Sequence, residues 1–193
     1  MQKVKSNLLT AGVCVLIAFI CIFGYVMLQN VSAEIFIKLG WEQRLTVDLM
    51  AYGFWFAFIV YAVLPPLYEE FIFRFLVCKG LGLLKLKKWW IIIISAVIFM
   101  LYHRSWSQVV YQLIMGIFFA WIFIKTNNLG WTMLIHFINN AFVVTYTYIT
   151  ADTGDAVFPL TPLNITLALV LAVISTVAVT FLIKKGIPHA KRQ

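Results

Sequence analysis

The chain has 193 residues, of which 63% are hydrophobic and only 11% are charged. Soluble domains average about 45–50% apolar and about 25% charged residues, so this composition excludes a soluble globular protein. The formal net charge of +8 is spread along the chain without a recognised nucleic-acid-binding motif. We therefore expect the lipid bilayer, and not nucleic acid, to be the main surroundings of the protein.

Uncharged apolar runs of 14 to 21 residues follow one another along the chain. A helix needs about 20 residues to cross a hydrocarbon core, so four runs are long enough, and the third and fourth are short. The sequence predicts an all-α, polytopic membrane helical bundle of about six transmembrane helices, with residues 1–193 forming a single integral membrane domain. The predicted spans are Leu8–Leu28, Leu49–Leu67, Trp89–Tyr102, Val109–Ile124, Leu129–Ile149 and Leu163–Ile183.

The first span resembles a signal peptide, because Val31, Ser32 and Ala33 follow it in a pattern typical of a cleavage site. Its 21-residue apolar run is too long for a signal-peptide core, so we expect a retained anchor. The loop that follows, residues 29–48, mixes apolar and charged side chains. This mixture predicts a short helix that lies in the headgroup region.

The basic residues predict the orientation of the chain. If the N-terminus is cytoplasmic, 11 of the 15 basic residues fall on the cytoplasmic side and only Lys38, Arg44 and Arg104 fall in the outer loops. The positive-inside rule then places both termini in the cytoplasm. We expect a multi-pass protein of the cell membrane, and the compact helical design is typical of a bacterial plasma membrane. The inner residues are Lys3, Lys5, Lys79, Lys85, Lys87, Lys88, Lys125, Lys184, Lys185, Lys191 and Arg192.

The first polar cluster follows the second span, where Pro65 and Pro66 are expected to break the helix about one turn before Glu69. Disrupted backbone at membrane depth requires a protein-lined or watery cavity, which we predict beside Glu69. Glu70 and Arg74 are four residues apart, so on a helix they face one another and form a charge-compensating pair. Glu69 is rotated by about 100° and remains the freer carboxylate.

Two later clusters add the imidazoles. His103 follows Phe99 by one helical turn, and His136 and Asn140 are likewise four residues apart, with Asn139 beside them. Polar residues inside a membrane are costly and indicate function. From the helical rise, Glu69 and His136 are expected in the cytoplasmic half of the membrane, so we expect the cavity to face the cytoplasm.

One carboxylate and two imidazoles around a wet cavity suit two chemistries. The carboxylate can activate water while a histidine or an amide stabilises a tetrahedral oxyanion, which is the chemistry of peptide hydrolysis. The same Glu and His residues could instead bind zinc, although no H-E-x-x-H motif is present. Serine chemistry lacks a supporting motif around Ser95, Ser105 and Ser107.

The three clusters, in this order and spacing, resemble the signature of the CPBP family, the CAAX proteases and bacteriocin-processing enzymes that are also called the Abi family. The segment KTNNLGWTMLIHFINN is similar to the family's stretch around its last motif. The resemblance covers roughly Leu64 to Phe142, within a protease core of approximately residues 49–149. The chain departs from the family at Phe75, where glycine often follows the motif arginine.

The resemblance implies an intramembrane endopeptidase of the type II CAAX prenyl protease kind, with Glu69 as the base that activates water and His103 assisting. It implies an oxyanion site at His136 and Asn140 and a supporting role for Glu70 and Arg74. Phe99 and Asn139 are expected to contact the substrate. We expect a metal-independent glutamate mechanism without a cofactor, acting on a membrane peptide or a lipidated protein.

Two other functions compete with proteolysis. Some members of the family resemble bacteriocin self-immunity proteins or membrane partners of regulatory proteins, so a non-catalytic immunity or regulatory protein with a membrane partner is the principal alternative. A proton-coupled transporter would also use buried carboxylates, but the chain lacks the repeat symmetry common in transporters. The sequence does not select a particular substrate.

Overall fold

The computed structural model describes residues 2–41, 53–150 and 160–188, and these residues form helices and no strand. The all-α prediction is confirmed. We number the helices in chain order, treating α2 and α6 as continuous helices that include π-helical turns. They are α1 (Gln2–Lys38), α2 (Phe54–Leu83), α3 (Lys88–Tyr102), α4 (Val109–Thr126), α5 (Leu129–Thr150) and α6 (Pro162–Gly186).

Within the described ranges, α1, α2, α4 and α6 are long and apolar enough to cross a membrane. Helix α3 is apolar but only 15 residues long. Helix α5 has 22 residues but includes His136, Asn139 and Asn140 in its middle. Length and composition therefore support four of the six predicted crossings directly, and the multi-pass membrane character is supported.

The bundle is built from paired helices. Helix α1 packs along α6, α3 packs along α4, and α5 contacts both α1 and α2. Buried apolar side chains from α1, α4, α5 and α6 form the largest cluster, which includes Tyr25, Met115, Ile122, Ile135 and Val179. A second cluster joins Cys78 of α2, Ile91 of α3 and Phe123 of α4. The four-helix cluster holds α5, one of the helices that carry the polar motifs.

The prediction of a separate interfacial helix in residues 29–48 is wrong for the described part of that loop. Helix α1 continues without interruption through Lys38, because its apolar and charged residues extend the first span by further helical turns. The helix ends at Lys38, and Gly40 follows it with a positive φ of 71°, which closes the last turn. Three of the basic residues used for the orientation lie outside the described residues: Arg44, Lys191 and Arg192.

The prediction that Pro65 and Pro66 break the second span is also wrong. Helix α2 continues through them as an α-helical segment, Leu64–Glu70, between two π-helical segments, Phe58–Val63 and Phe71–Cys78. The prolines occupy the first turn of the α-helical segment, where proline's fixed φ is compatible with a helix and its missing N–H is tolerated. Glu69 and Glu70 are thus held on a continuous helix.

The contact between α1 and α6 depends on a glycine and generates a stability prediction. A methyl group at Gly24 would collide with the Ser175 side chain, whereas one at Gly12 would meet no atom within 4 Å. Overpacking costs about 1–3 kcal/mol, and Gly to Ala in open helical positions gains about 1 kcal/mol. We expect Gly24→Ala to lower the thermal unfolding midpoint in detergent and the matched variant Gly12→Ala to leave it unchanged or raise it. Equal midpoints for the two variants would contradict this packing.

Candidate active site

A fully buried ion pair supports the site. The Arg74 Nε donates a hydrogen bond to Glu70 Oε2 at 3.0 Å, and both side chains have an exposed fraction of 0%. Arg74 Nη1 donates to the Ser95 hydroxyl at 3.3 Å, and that hydroxyl donates to the Phe73 carbonyl at 3.1 Å. The contact predicted from the spacing of Glu70 and Arg74 is thus present, and α3 contributes a further polar partner.

Glu70 has a second partner, which the sequence did not reveal. His136 Nδ1 lies 3.0 Å from Glu70 Oε1. An ionised carboxylate can only accept hydrogen bonds, so Nδ1 carries the proton and donates it to Glu70. In the neutral ring, Nε2 is then left as an acceptor. Glu70 therefore fixes both the position and the tautomer of His136.

A backbone carbonyl orients the His103 ring in the way that Glu70 orients the His136 ring. It caps the C-terminal end of α3, and its Nδ1 lies 2.9 Å from the Phe99 carbonyl oxygen. Because a carbonyl accepts, Nδ1 is the donor, and Nε2 of the neutral ring is again an acceptor. The chain turns away at Arg104, which adopts a positive φ of 50°. This turn leaves the imidazole at the end of the helix.

Glu69 is the point at which the two imidazoles converge. Its Oε2 lies 3.7 Å from His103 Nε2 and 3.8 Å from His136 Nε2. These distances are too long for direct hydrogen bonds. Within the structure as described, Oε2 is buried and has no hydrogen-bond partner. A carboxylate oxygen and two imidazole acceptors face one another, and a water molecule is a donor that could serve them.

A cavity of about 350 Å³ opens onto these three side chains. Its wall includes Glu69, His103 and His136, and side chains from α1, α2, α4 and α5 enclose the remainder. The cavity predicted beside Glu69 is therefore present, although it does not arise from a broken helix. Because its walls carry hydroxyl, amide and ionisable groups, it is suited to hold water and a polar segment of a substrate.

The two asparagines of α5 line the cavity. Asn140 lies one helical turn from His136, and its Nδ2 donates to the Tyr61 carbonyl of α2 at 3.2 Å, while the partner of His136 Nδ1 is Glu70. Asn139 is buried, and its Oδ1 accepts a 2.5 Å hydrogen bond from the Tyr111 hydroxyl.

Phe99 lies behind the site and not in the cavity wall. It is 1% exposed, with its ring 4.6 Å from the Arg74 guanidinium carbon and 4.6 Å from the centre of the His103 ring. The expectation that Phe99 contacts substrate is therefore not supported by its position. Phe119 stacks on His136 at a centroid distance of 5.2 Å and does line the cavity. The two phenylalanines form an apolar backing for both imidazoles.

Several cavity residues escaped the sequence analysis. Tyr111 lies in the first turn of α4 as an ordinary aromatic residue, and Gln108 and Gln112 lie at the start of the same helix. Gln29 directly follows the predicted end of the first span, where an amide is unremarkable. Only the tertiary structure gathers them around Glu69. The signal that could have found Gln108 and Gln112 is their spacing of four residues, which lets Gln112 Nε2 donate to Gln108 Oε1 at 3.1 Å.

Two imidazoles and a carboxylate are also a possible ligand set for zinc. In the part of the chain that the structure describes, no group of three or more His, Cys, Asp or Glu side chains is arranged to hold a metal ion. The zinc alternative therefore gains no support from the arrangement of these side chains.

Residues 51–142 match the family described as type II CAAX prenyl endopeptidase Rce1-like. The resemblance based on the three motifs is confirmed. This segment contains Glu69, Glu70, Arg74, His103, His136 and Asn140, and the family that it matches is described as an endopeptidase family, which is a class of hydrolases. No curated protein and no solved structure matches the chain.

The buried ion pair generates a prediction about folding. Removing the cation in Arg74→Met leaves the Glu70 carboxylate buried without its charge partner, and breaking such a pair costs about 3–5 kcal/mol. We expect a correspondingly lower free energy of unfolding for Arg74→Met, measured by denaturant titration in detergent. The double variant Glu70→Gln/Arg74→Met removes both charges and keeps an acceptor for His136, so it should recover most of the loss. Wild-type stability of Arg74→Met would contradict this account.

Proposed function

We propose that the protein is an intramembrane endopeptidase in which Glu69 activates water. The observation that carries the proposal is the convergence of Glu69 Oε2 with His103 Nε2 and His136 Nε2, at 3.7 and 3.8 Å, on one cavity. The match of residues 51–142 to the Rce1-like family supports the reaction class. A membrane-associated or lipidated peptide is the proposed substrate, and a prenylated peptide is the specific form that the family's description suggests.

The first step uses Glu69 as the general base. A water molecule beside Oε2 gives one proton to Glu69 while its oxygen attacks the carbonyl carbon of the scissile peptide bond. In the neutral tautomer, His103 Nε2 accepts the second hydrogen of this water and orients its lone pair. Because Glu69 Oε2 and His103 Nε2 both accept hydrogen bonds from the water, the attacking oxygen is held in a fixed orientation toward the peptide carbonyl. No metal ion takes part in this step.

The oxyanion that forms needs hydrogen-bond donors. The Asn140 amide donates one N–H to Tyr61 and has a second N–H for the oxyanion. His136 joins as a donor only when Nε2 also carries a proton, because Nδ1 remains on Glu70. When the tetrahedral intermediate collapses, the C–N bond breaks and Glu69 returns its proton to the leaving amine. The products are a carboxylic acid and an amine, so the water is fully accounted for.

Glu70 and Arg74 are positioning residues in this mechanism. Neither reaches the cavity, since both are fully buried and engage one another, His136 and Ser95. Their pairing keeps a charged carboxylate behind His136 without leaving it uncompensated in the membrane interior. Of the two adjacent glutamates, Glu69 therefore takes part in the reaction and Glu70 positions His136.

The decisive experiment removes the base with the smallest change in shape. We expect Glu69→Gln to abolish cleavage of a membrane-peptide library by the purified protein while the thermal midpoint stays within a few degrees of the wild type. A metal chelator should leave wild-type cleavage unchanged. Asn140→Ala should reduce kcat by about 10²–10³-fold, the usual effect of losing one oxyanion donor.

The same experiment separates proteolysis from the alternative functions. Full cleavage by Glu69→Gln would overturn the role of Glu69, and loss of wild-type cleavage on chelation would favour zinc chemistry. If the wild type cleaves no peptide while Glu69→Gln retains its biological activity in cells, the protein is a non-catalytic immunity or regulatory member.

A further inference from the structure

Lysines mark one end of the helical bundle. Lys79 lies in the last turns of α2, Lys88 begins α3, Lys125 lies in the last turn of α4, and Lys184 and Lys185 lie at the end of α6. We call this the lysine end.

Two contacts show that these helix ends lie together. Lys125 Nζ donates to the backbone carbonyls of Ile183 and Lys184, which joins the end of α4 to the end of α6. Nearby, Cys78, Ile91 and Phe123 pack together and join α2, α3 and α4. The lysine end is therefore a feature of the folded bundle and not only of the sequence.

The cavity extends from Glu69 away from the lysine end. In α2 its lining residues Tyr61 and Pro65 precede Glu69, and the lysine end is where α2 finishes. In α4 its lining begins at Tyr111 and Gln112, far from Lys125 along the helix.

Helices α1 and α5 agree with this direction. In α5 the lining runs from His136 to Val144, and α5 begins immediately after the lysine end of α4. In α1 the lining residue is Gln29, which lies about 24 Å along the helix from Val13 at about 1.5 Å per residue. Val13 faces Gly186 at the lysine end. Four helices therefore show that the cavity extends from Glu69 toward the opposite end of the bundle, and we call that end of the cavity, lined by Gln29, Gln108 and Gln112, its mouth.

The charge distribution relates this direction to the membrane. The described basic residues at the opposite end are Lys38 and Arg104, against five residues at the lysine end and two more, Lys85 and Lys87, in the connection between α2 and α3. The positive-inside rule then turns the lysine end to the cytoplasm. We propose that the cavity opens on the extracytoplasmic side and receives an uncharged, extended peptide segment from that side. This inference rests on the proposed endopeptidase function, and it replaces the expectation of a cytoplasm-facing cavity.

The chemistry of the mouth indicates the part of a peptide that it holds. Gln29, Gln108 and Gln112 line this part of the cavity, and each side-chain amide offers both donors and an acceptor, as a peptide main chain does. Among the described lining residues no Lys or Arg is present, and Glu69 is the only acidic residue. A cavity with this lining suits the main chain of a neutral segment and provides no cation for an acidic side chain.

Thiol labelling tests the side of access without requiring catalysis. The three native cysteines are buried, so the wild type sets the background for a membrane-impermeant maleimide. We expect Gln108→Cys to be labelled in intact cells and the matched variant Lys87→Cys to be labelled only after permeabilisation. Labelling of Gln108→Cys only after permeabilisation, or not at all, would overturn the proposal. The labelling does not depend on cleavage. Failure of the proposed endopeptidase function would therefore appear in the cleavage assay of Glu69→Gln and not in the labelling result.

Steady-state kinetics of the purified protein test whether the glutamine side chains bind the peptide main chain. Gln112→Met removes the amide at similar volume, and losing about one hydrogen bond to substrate should raise KM about three- to tenfold with little change in kcat. Lys87→Met, at the lysine end, should leave both constants unchanged. A KM unaffected by Gln112→Met would refute main-chain binding at the mouth.

The preference for an uncharged segment is tested with the peptide. Replacing a neutral residue near the scissile bond of the peptide by Asp should slow cleavage, and faster cleavage of the Asp peptide would count against the proposal.

Discussion

The rest of the site depends on the buried pair of Glu70 and Arg74. Arg74 is among the largest fully buried side chains, and a guanidinium in an apolar bundle is tolerated only when it is paired and hydrogen-bonded. Glu70 supplies the charge, Ser95 an acceptor, and Phe99 an aromatic face 4.6 Å from the guanidinium carbon. These contacts tie α2 to α3, and the hydrogen bond from His136 to Glu70 adds α5. Three helices are thereby fixed around one carboxylate.

The helical backbone around the two glutamates is unusual in the same place. The α-helical segment that contains Glu69 and Glu70 lies between π-helical segments, and π-helical turns are frequent at functional sites. Adjacent residues on a helix point about 100° apart, so one glutamate faces the buried arginine and the other faces the cavity. A single turn thus places one carboxylate against the arginine and the other at the cavity. Pro65 and Pro66 lie in the first turn of this segment, where proline is compatible with a helix, so α2 remains continuous.

The membrane explains why the site has a dry side and a polar side. Phe99 packs behind His103, and Phe119 stacks on His136 and forms an apolar part of the cavity wall. These rings exclude water from one side of each imidazole, and the lower local polarity strengthens the electrostatic interactions there. On the other side the cavity brings hydroxyl and amide groups to Glu69, where hydrolysis requires water. Lipid hydrocarbon is dry and offers no polar groups, so the helical bundle must create the polar side of the site. Under the proposed function, the direction in which the cavity opens determines which side of the membrane can supply a peptide.

The sequence by itself determined the helical membrane class, the close contact of Glu70 with Arg74 and the freedom of Glu69, because composition and four-residue spacing act locally along a helix. It failed where partners come from other helices. Asn140 donates a hydrogen bond to the Tyr61 carbonyl, His136 donates one to Glu70, and Phe99 packs behind the site. In each case the partner is close in space but distant in sequence. The continuity of α2 through Pro65 and the direction of the cavity were likewise decided by packing among helices, which no local pattern of residues encodes.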